Sequence, residues 1–149
     1  MKIEKIKEMM DACYMAKRIR DMLPKLPEGV APSYIRIMDT IQELKIEERK
    51  VKVSDISEVM NLPRPGVTRT VKEMEAKGYL KKVSSDEDGR IIYVALTDEG
   101  EKLSEKYNRQ YFSELSKYLD DISEQEADCM ICTIKKLYKI MWERTNHFE

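Results

Sequence analysis

One histidine, one tryptophan, two phenylalanines, five glycines and five prolines are spread over 149 residues, and each scarcity excludes something. A structural zinc site needs four ligands, and three cysteines with the single His147 make that the least favoured reading of the thiols; no metal or cofactor is expected. The few glycines build no phosphate-cradling loop, and neither a Gly-x-Ser-x-Gly elbow nor a His-Glu-x-x-His motif is present. The chain therefore does not read as an enzyme. Long apolar runs are also missing: stretches such as Ile91 to Thr97 fall far short of the roughly 18 residues of a membrane span. Met1-Lys2-Ile3-Glu4-Lys5 runs into an acid-bearing amphipathic segment and not into the apolar core of a secretory signal, so a cytoplasmic protein that stays off membranes is expected. An odd number of cysteines makes no disulfide framework.

What is present is charge and helical periodicity. Charged residues make up 37 % of the chain and hydrophobic ones 42 %, enough of the latter to fold. The length suits one domain. The 27 basic and 28 acidic side chains nearly cancel, which excludes a uniformly basic coat for polyanions. By region the balance is unequal: +1 for residues 1–44, +4 for 45–82 and −6 for 83–149.

Ile3, Ile6, Met10, Cys13, Ala16, Ile19 and Leu23 recur at three- and four-residue steps, predicting a first helix that ends before Pro24. A second is expected from Ser33 as N-cap, with Ile35, Met38, Ile41 and Leu44 inward. Lys50-Val51-Lys52-Val53 reads as a short β-type stretch, and Ser54-Asp55 as the cap and first turn of a third helix through Met60. Asn61-Leu62-Pro63 breaks the chain. Val67, Val71 and Met74 then mark one face of a fourth helix closed by Gly78. Tyr79 to Val83 and Arg90 to Leu96 are β-rich around a polar tip, predicting a hairpin. Thr97 caps a long helix carrying Leu103, Tyr107, Tyr111, Leu115 and Leu119, and Ser123-Glu124-Gln125-Glu126 is a capping box for a last helix.

The expected fold is mainly α with a small β-hairpin wing. Two short helices joined by a break and followed by a hairpin make a winged helix-turn-helix, which lays its second helix in the major groove of DNA. With Val67, Val71 and Met74 inward, Arg64, Pro65, Thr68, Arg69 and Lys72 project outward. Arginine donates twice to guanine, threonine offers a hydroxyl and a methyl, and Lys72 suits a phosphate. The plain alternative for these side chains is a solvated helix face.

The stretch from Asn61 to Leu80, Asp86-Glu87-Asp88-Gly89-Arg90, and Leu96-Thr97-Asp98-Glu99-Gly100 resemble the MarR family of transcriptional regulators. The resemblance implies a single unit over residues 1–149, with dimerisation helices at 1–30 and 101–149 around a DNA-binding lobe at 31–100. It implies a homodimer on a pseudo-palindromic double-stranded operator, usually a repressor, released by a small ligand or an oxidant. It places Arg64, Thr68 and Arg69 at the DNA, Arg90 in a minor groove and Asp88 steadying that arginine. Pro63 stands where many members carry Ser or Thr, so Asn61 is the alternative cap.

A small aromatic or anionic effector is expected to meet Lys17, Arg18, Arg20, Tyr34 and Arg36, unless these are ordinary surface residues. Cys13 lies in the helix where the oxidant-sensing branch of the family holds its reactive thiol, which keeps an oxidant-released regulator open as an alternative. Cys129 and Cys132 sit inside an amphipathic helix and read as buried structural residues. A winged helix that binds protein and not DNA is the remaining alternative.

Overall fold

The structure, a computed structural model, describes residues 1–46, 50–85, 88 and 90–145. Asp86, Glu87, Gly89 and His147, named above, lie outside the described residues. The chain divides into two compact units, Met1–Asn108 and Arg109–Glu149.

In the first unit the order is α1 (Ile3–Asp21), α2 (Pro32–Ile46), α3 (Val53–Val59), α4 (Arg64–Ala76), β1 (Leu80–Ser84), β2 (Ile92–Leu96) and α5 (Asp98–Ser104). Tyr34, Ile37, Met38, Ile41 and Leu44 of α2, Ile56 of α3, and Val67, Val71 and Met74 of α4 close over Leu80, Val94 and Leu96 of the hairpin. Burying each such large side chain contributes about 1.5–3 kcal/mol. The expected inner face of α4 is thus the observed one: Val67, Val71 and Met74 are its buried residues.

Several boundaries differ from expectation, each for a local reason. Helix α2 begins at Pro32, so Ser33 is already helical; proline suits a first turn because its missing N–H has no intrahelical acceptor there. Lys50 to Val53 form no described strand. Val51 makes one sheet-like link, its carbonyl accepting the Val94 amide at 2.8 Å, and Val53 already opens α3. Ser54 is likewise inside that helix; the Asp55 carboxylate accepts the Lys52 amide at 2.8 Å and fixes the start two residues earlier.

Asn61 does not cap α4. It ends α3 in a left-handed conformation, φ 50°, while the Leu62 amide reaches back to the Ser57 carbonyl at 3.0 Å, the closure that an αL residue just past a helix permits. Gly78 does the same for α4 at φ 78°, with the Tyr79 amide on the Met74 carbonyl at 2.9 Å.

The hairpin pairs Leu80 with Leu96 and Ser84 with Ile92. Thr97 caps α5 as expected, its hydroxyl oxygen accepting the Gly100 amide at 3.2 Å. The long helix expected beyond it is interrupted. A π-helical stretch, Glu105–Gln110, follows α5 and leads into α6 (Tyr111–Ser116). Each wide turn takes an extra residue, which rotates the stripe that a continuous helix would have kept straight. Buried Ser104 donates to Gln42 at 2.7 Å and accepts from Asn108 at 2.9 Å, tying the end of α5 to α2.

In the second unit, the Ser123–Glu126 capping box is present. The Ser123 amide donates to the Glu126 carboxylate at 2.9 Å and the Glu126 amide to the Ser123 hydroxyl at 3.3 Å. The Ser123 hydroxyl, and then its amide, hold the Glu126 carboxyl below the usual range. Helix α7 (Glu124–Thr145) follows, and Met130, Ile131, Ile134, Tyr138 and Met141 stay exposed in the single chain, as do Ile3, Ile6, Met10, Met15 and Ile19 of α1. No helix among the described residues is long and apolar enough to cross a membrane.

Candidate nucleic-acid interface

Helix α4 turns a polar stripe outward because its apolar residues recur at positions 67, 71 and 74 and consume the inner face. Arg64, Thr68 and Lys72 follow one another at four-residue steps along that stripe, and Pro65 with Arg69 forms the adjacent row. The first row lines a concavity of about 390 Å³ whose far side is the wing residue Arg90. Four of the seven residues singled out for DNA therefore meet at one place. Pro65 and Arg69 are exposed beside it, and Asp88 is exposed on the wing.

Lys52 and Lys82 complete the rim, and sequence reasoning missed both as site residues. The only signal for them is the +4 charge of residues 45–82, which counts them without placing them. Lys82 pairs with Glu75, the one acid among the lining residues, at 2.9 Å. Lys52 lies 6.0 Å from the centre of the Tyr93 ring and Lys50 5.5 Å from it. The rim is strongly cationic, and charge-assisted donors on a concave wall favour an extended polyanion.

Local bonds set the donor geometry. The Thr68 hydroxyl donates to the Arg64 carbonyl at 2.8 Å, which leaves its oxygen able to accept a further bond. Pro65 occupies the first turn of α4, where an N–H has no intrahelical acceptor to lose. Asp88 meets Arg90 at the backbone: its carboxylate accepts the Arg90 amide at 3.0 Å, and its carbonyl accepts the Ile91 amide at 2.9 Å. An aspartate that closes its own turn in this way leaves the following guanidinium free to extend.

The expected effector residues do not converge on this concavity. Lys17, Arg18 and Arg20 are exposed on α1 and Arg36 on α2. Tyr34 is only 4 % exposed, so it does not offer the aromatic surface anticipated for it. Its ring packs at 6.3 Å from that of Tyr79, its hydroxyl donates to Glu73 at 3.3 Å, and Lys77 lies over its face. This knot fastens the end of α4 to α2. Burial first, and then the Glu73 carboxylate, raise the Tyr34 phenol above its ordinary value. The folded state thus keeps this proton where the unfolded chain loses it, and stability should fall as pH rises past about 10. The Tyr34→Phe variant should lack that part of the fall in chemical denaturation measured between pH 9 and 11.

Cys13 is half-buried on α1; Cys129 and Cys132 are exposed on α7 and not buried as expected.

The fold so described is a winged helix: a helix-turn-helix followed by a two-stranded wing. A family model described as "MarR family" matches residues 29–91, which span α2 through the wing tip. The chain is 27 % identical over 88 residues to the uncharacterized HTH-type transcriptional regulator YdgJ of Bacillus subtilis, covering 59 % of this chain and 54 % of YdgJ. It is 26 % identical over 99 residues to the HTH-type transcriptional repressor MdtR of the same organism, covering 66 % and 61 %. The matched segments thus span little more than half the length of these relatives.

Among solved structures, Streptococcus pneumoniae FabT in complex with DNA superposes with a TM-score of 0.67 at 20 % identity, covering 95 % of this chain and 99 % of that one. A MarR/EmrR family regulator from Acinetobacter sp. ADP1 gives 0.65 at 22 %, covering 96 % and 99 %. These likenesses establish the fold.

Proposed function

We propose that the chain is a homodimeric, sequence-specific DNA-binding transcriptional regulator, a repressor of the kind that a small ligand releases from a pseudo-palindromic operator. The observation that carries this reading is the cationic concavity in which Arg64, Thr68 and Lys72 of α4 face Arg90 of the wing. Helix α4 enters the major groove, where Arg69 and Thr68 read base edges; Arg90 takes the adjacent minor groove, whose negative potential suits a guanidinium. MdtR, described as a repressor, and FabT, solved with DNA, support the reading by likeness.

Dimerisation rests on the exposed apolar residues of α1 and α7, more than a soluble monomer normally leaves uncovered. A two-fold dimer sets its recognition helices about 34 Å apart, one turn of DNA, and a ligand that favours another spacing lowers affinity. With Tyr34 in the core, Lys17, Arg18, Arg20 and Arg36 remain to meet an anionic effector.

Selection of binding sites from random DNA, followed by titration of the selected site, tests the proposal. Arg69→Ala is expected to relax base preference by about 1–3 kcal/mol at one position of each half-site, and Lys72→Ala to weaken all sequences alike while lowering the salt slope. Equal affinity for selected and scrambled DNA at physiological salt would leave the protein-interaction reading of the winged helix in its place.

A further inference from the structure

Cys129 and Cys132 take no part in the interface described above. Both are free thiols, both are exposed, and both lie within α7. Residues three apart on a helix share a face, with Cβ atoms about 5–6 Å from each other. The apolar stripe of Met130, Ile134, Leu137 and Met141 runs down a different side: at about 100° per residue, Cys132 sits roughly 170° and Cys129 roughly 110° from its centre. A surface that covers this stripe alone lies away from both thiols, while exposed Ile140, about 20° round the helix from Cys129, borders them.

Chemistry then narrows what such a pair accepts. A disulfide needs Cβ atoms about 3.5–4.5 Å apart, so forming one here demands contraction of the helical turn. A shared soft centre demands less, because two bonds of about 2.3 Å meeting at the roughly 100° angle of a pyramidal centre leave the sulfurs about 3.5 Å apart, against about 2.05 Å in a disulfide. Among the described residues no group of three or more His, Cys, Asp or Glu is placed to hold a metal ion, which leaves a four-ligand centre short of donors. A centre satisfied by two thiolates is not short of any.

We infer that Cys129 and Cys132 form a dithiol site for a soft, thiophilic centre, of which a trivalent arsenical carrying one organic group is the best-matched class. Each thiol gives up its proton and forms one sulfur–arsenic bond. With an organoarsenic(III) oxide the oxide oxygen takes both protons and leaves as water, so no oxidant or reductant is needed.

The probe is phenylarsine oxide, titrated into the reduced full-length chain and followed by intact mass and by counting free thiols. One equivalent is expected to bind per chain, with the loss of one water and two thiols, and to resist excess monothiol while a small dithiol removes it. Cys129→Ser and Cys132→Ser should each weaken binding about a hundredfold or more, since a chelate loses its effective concentration with one arm, and Cys13→Ser should leave it unchanged. Thermal melts check that the serine variants stay folded. Monothiol-resistant binding that persists in Cys129→Ser, or binding by the wild-type chain that monothiol reverses, overturns the assignment.

Discussion

Replacing Arg64, Lys72 and Arg90 together by alanine is expected to lower affinity for the selected DNA site on the order of a thousandfold near 0.1 M salt, while the fold persists. The fold should persist because all three side chains are exposed and stand outside the cluster that closes the core. The loss should be large because the three line one concavity and the proposed dimer would present it twice. Each phosphate contact contributes about 0.9 to the slope of log affinity against log salt, so removing three cations per chain should flatten that slope by up to about 5. Filter binding or fluorescence anisotropy from 50 to 300 mM salt, beside a thermal melt, measures both. A steep slope retained by the triple variant would move the DNA surface away from α4 and the wing. Lys52→Ala and Lys82→Ala separate the rim further. Lys82 already pairs with Glu75 at 2.9 Å and should matter less than Lys52, whose neighbour is the Tyr93 ring.

The contrast between these residues shows which features of the interface a sequence carries. The outward row of α4 is readable because it follows from an inward row: once Val67, Val71 and Met74 are buried, helical geometry leaves Arg64, Thr68 and Lys72 no other side. The hairpin is readable from β-branched runs around a polar tip, and the caps at Thr97 and Ser123 from local hydrogen-bonding chemistry. Long-range meetings are not readable in this way. That Lys52, ahead of α3, and Lys82, on β1, meet the recognition helix depends on how the hairpin packs. Tyr34 looks like surface chemistry in a polar-flanked stretch, yet its partners Glu73 and Tyr79 lie some forty residues away, and only the packed structure brings them to it. Asn61 misleads for a different reason. Asparagine suits both a helix start and a left-handed helix end, and the choice falls to the end of α3 because Leu62 closes back on Ser57.

Gly100→Ala is expected to destabilise the first unit by about 2 kcal/mol and to lower its Tm by roughly 6–8 °C. In an ordinary first helical turn alanine gains on glycine by up to about 1 kcal/mol, so the sign here is set by packing. A Cβ at position 100 falls 2.2 Å from the Tyr79 carbonyl oxygen and 3.0 Å from the Leu96 side chain. The oxygen belongs to backbone and already accepts the Thr97 amide at 3.1 Å, so relief requires moving Tyr79, the residue just ahead of β1. The glycine of Leu96-Thr97-Asp98-Glu99-Gly100 is thus explained without reference to DNA: Thr97 caps α5, and the cap draws the helix backbone against the base of the wing. Moving that base shifts Arg90 relative to α4, so operator affinity should drop further than the unfolded fraction alone accounts for. Gly66→Ala supplies the opposite sign, since a Cβ at position 66 meets nothing within 4 Å and should stabilise α4 by up to about 1 kcal/mol. Calorimetric melts of the two variants beside the wild type decide it. Equal melting for Gly100→Ala and wild type would mean that the wing base yields freely, and a wing that yields so easily is not one that holds Arg90 in a fixed place.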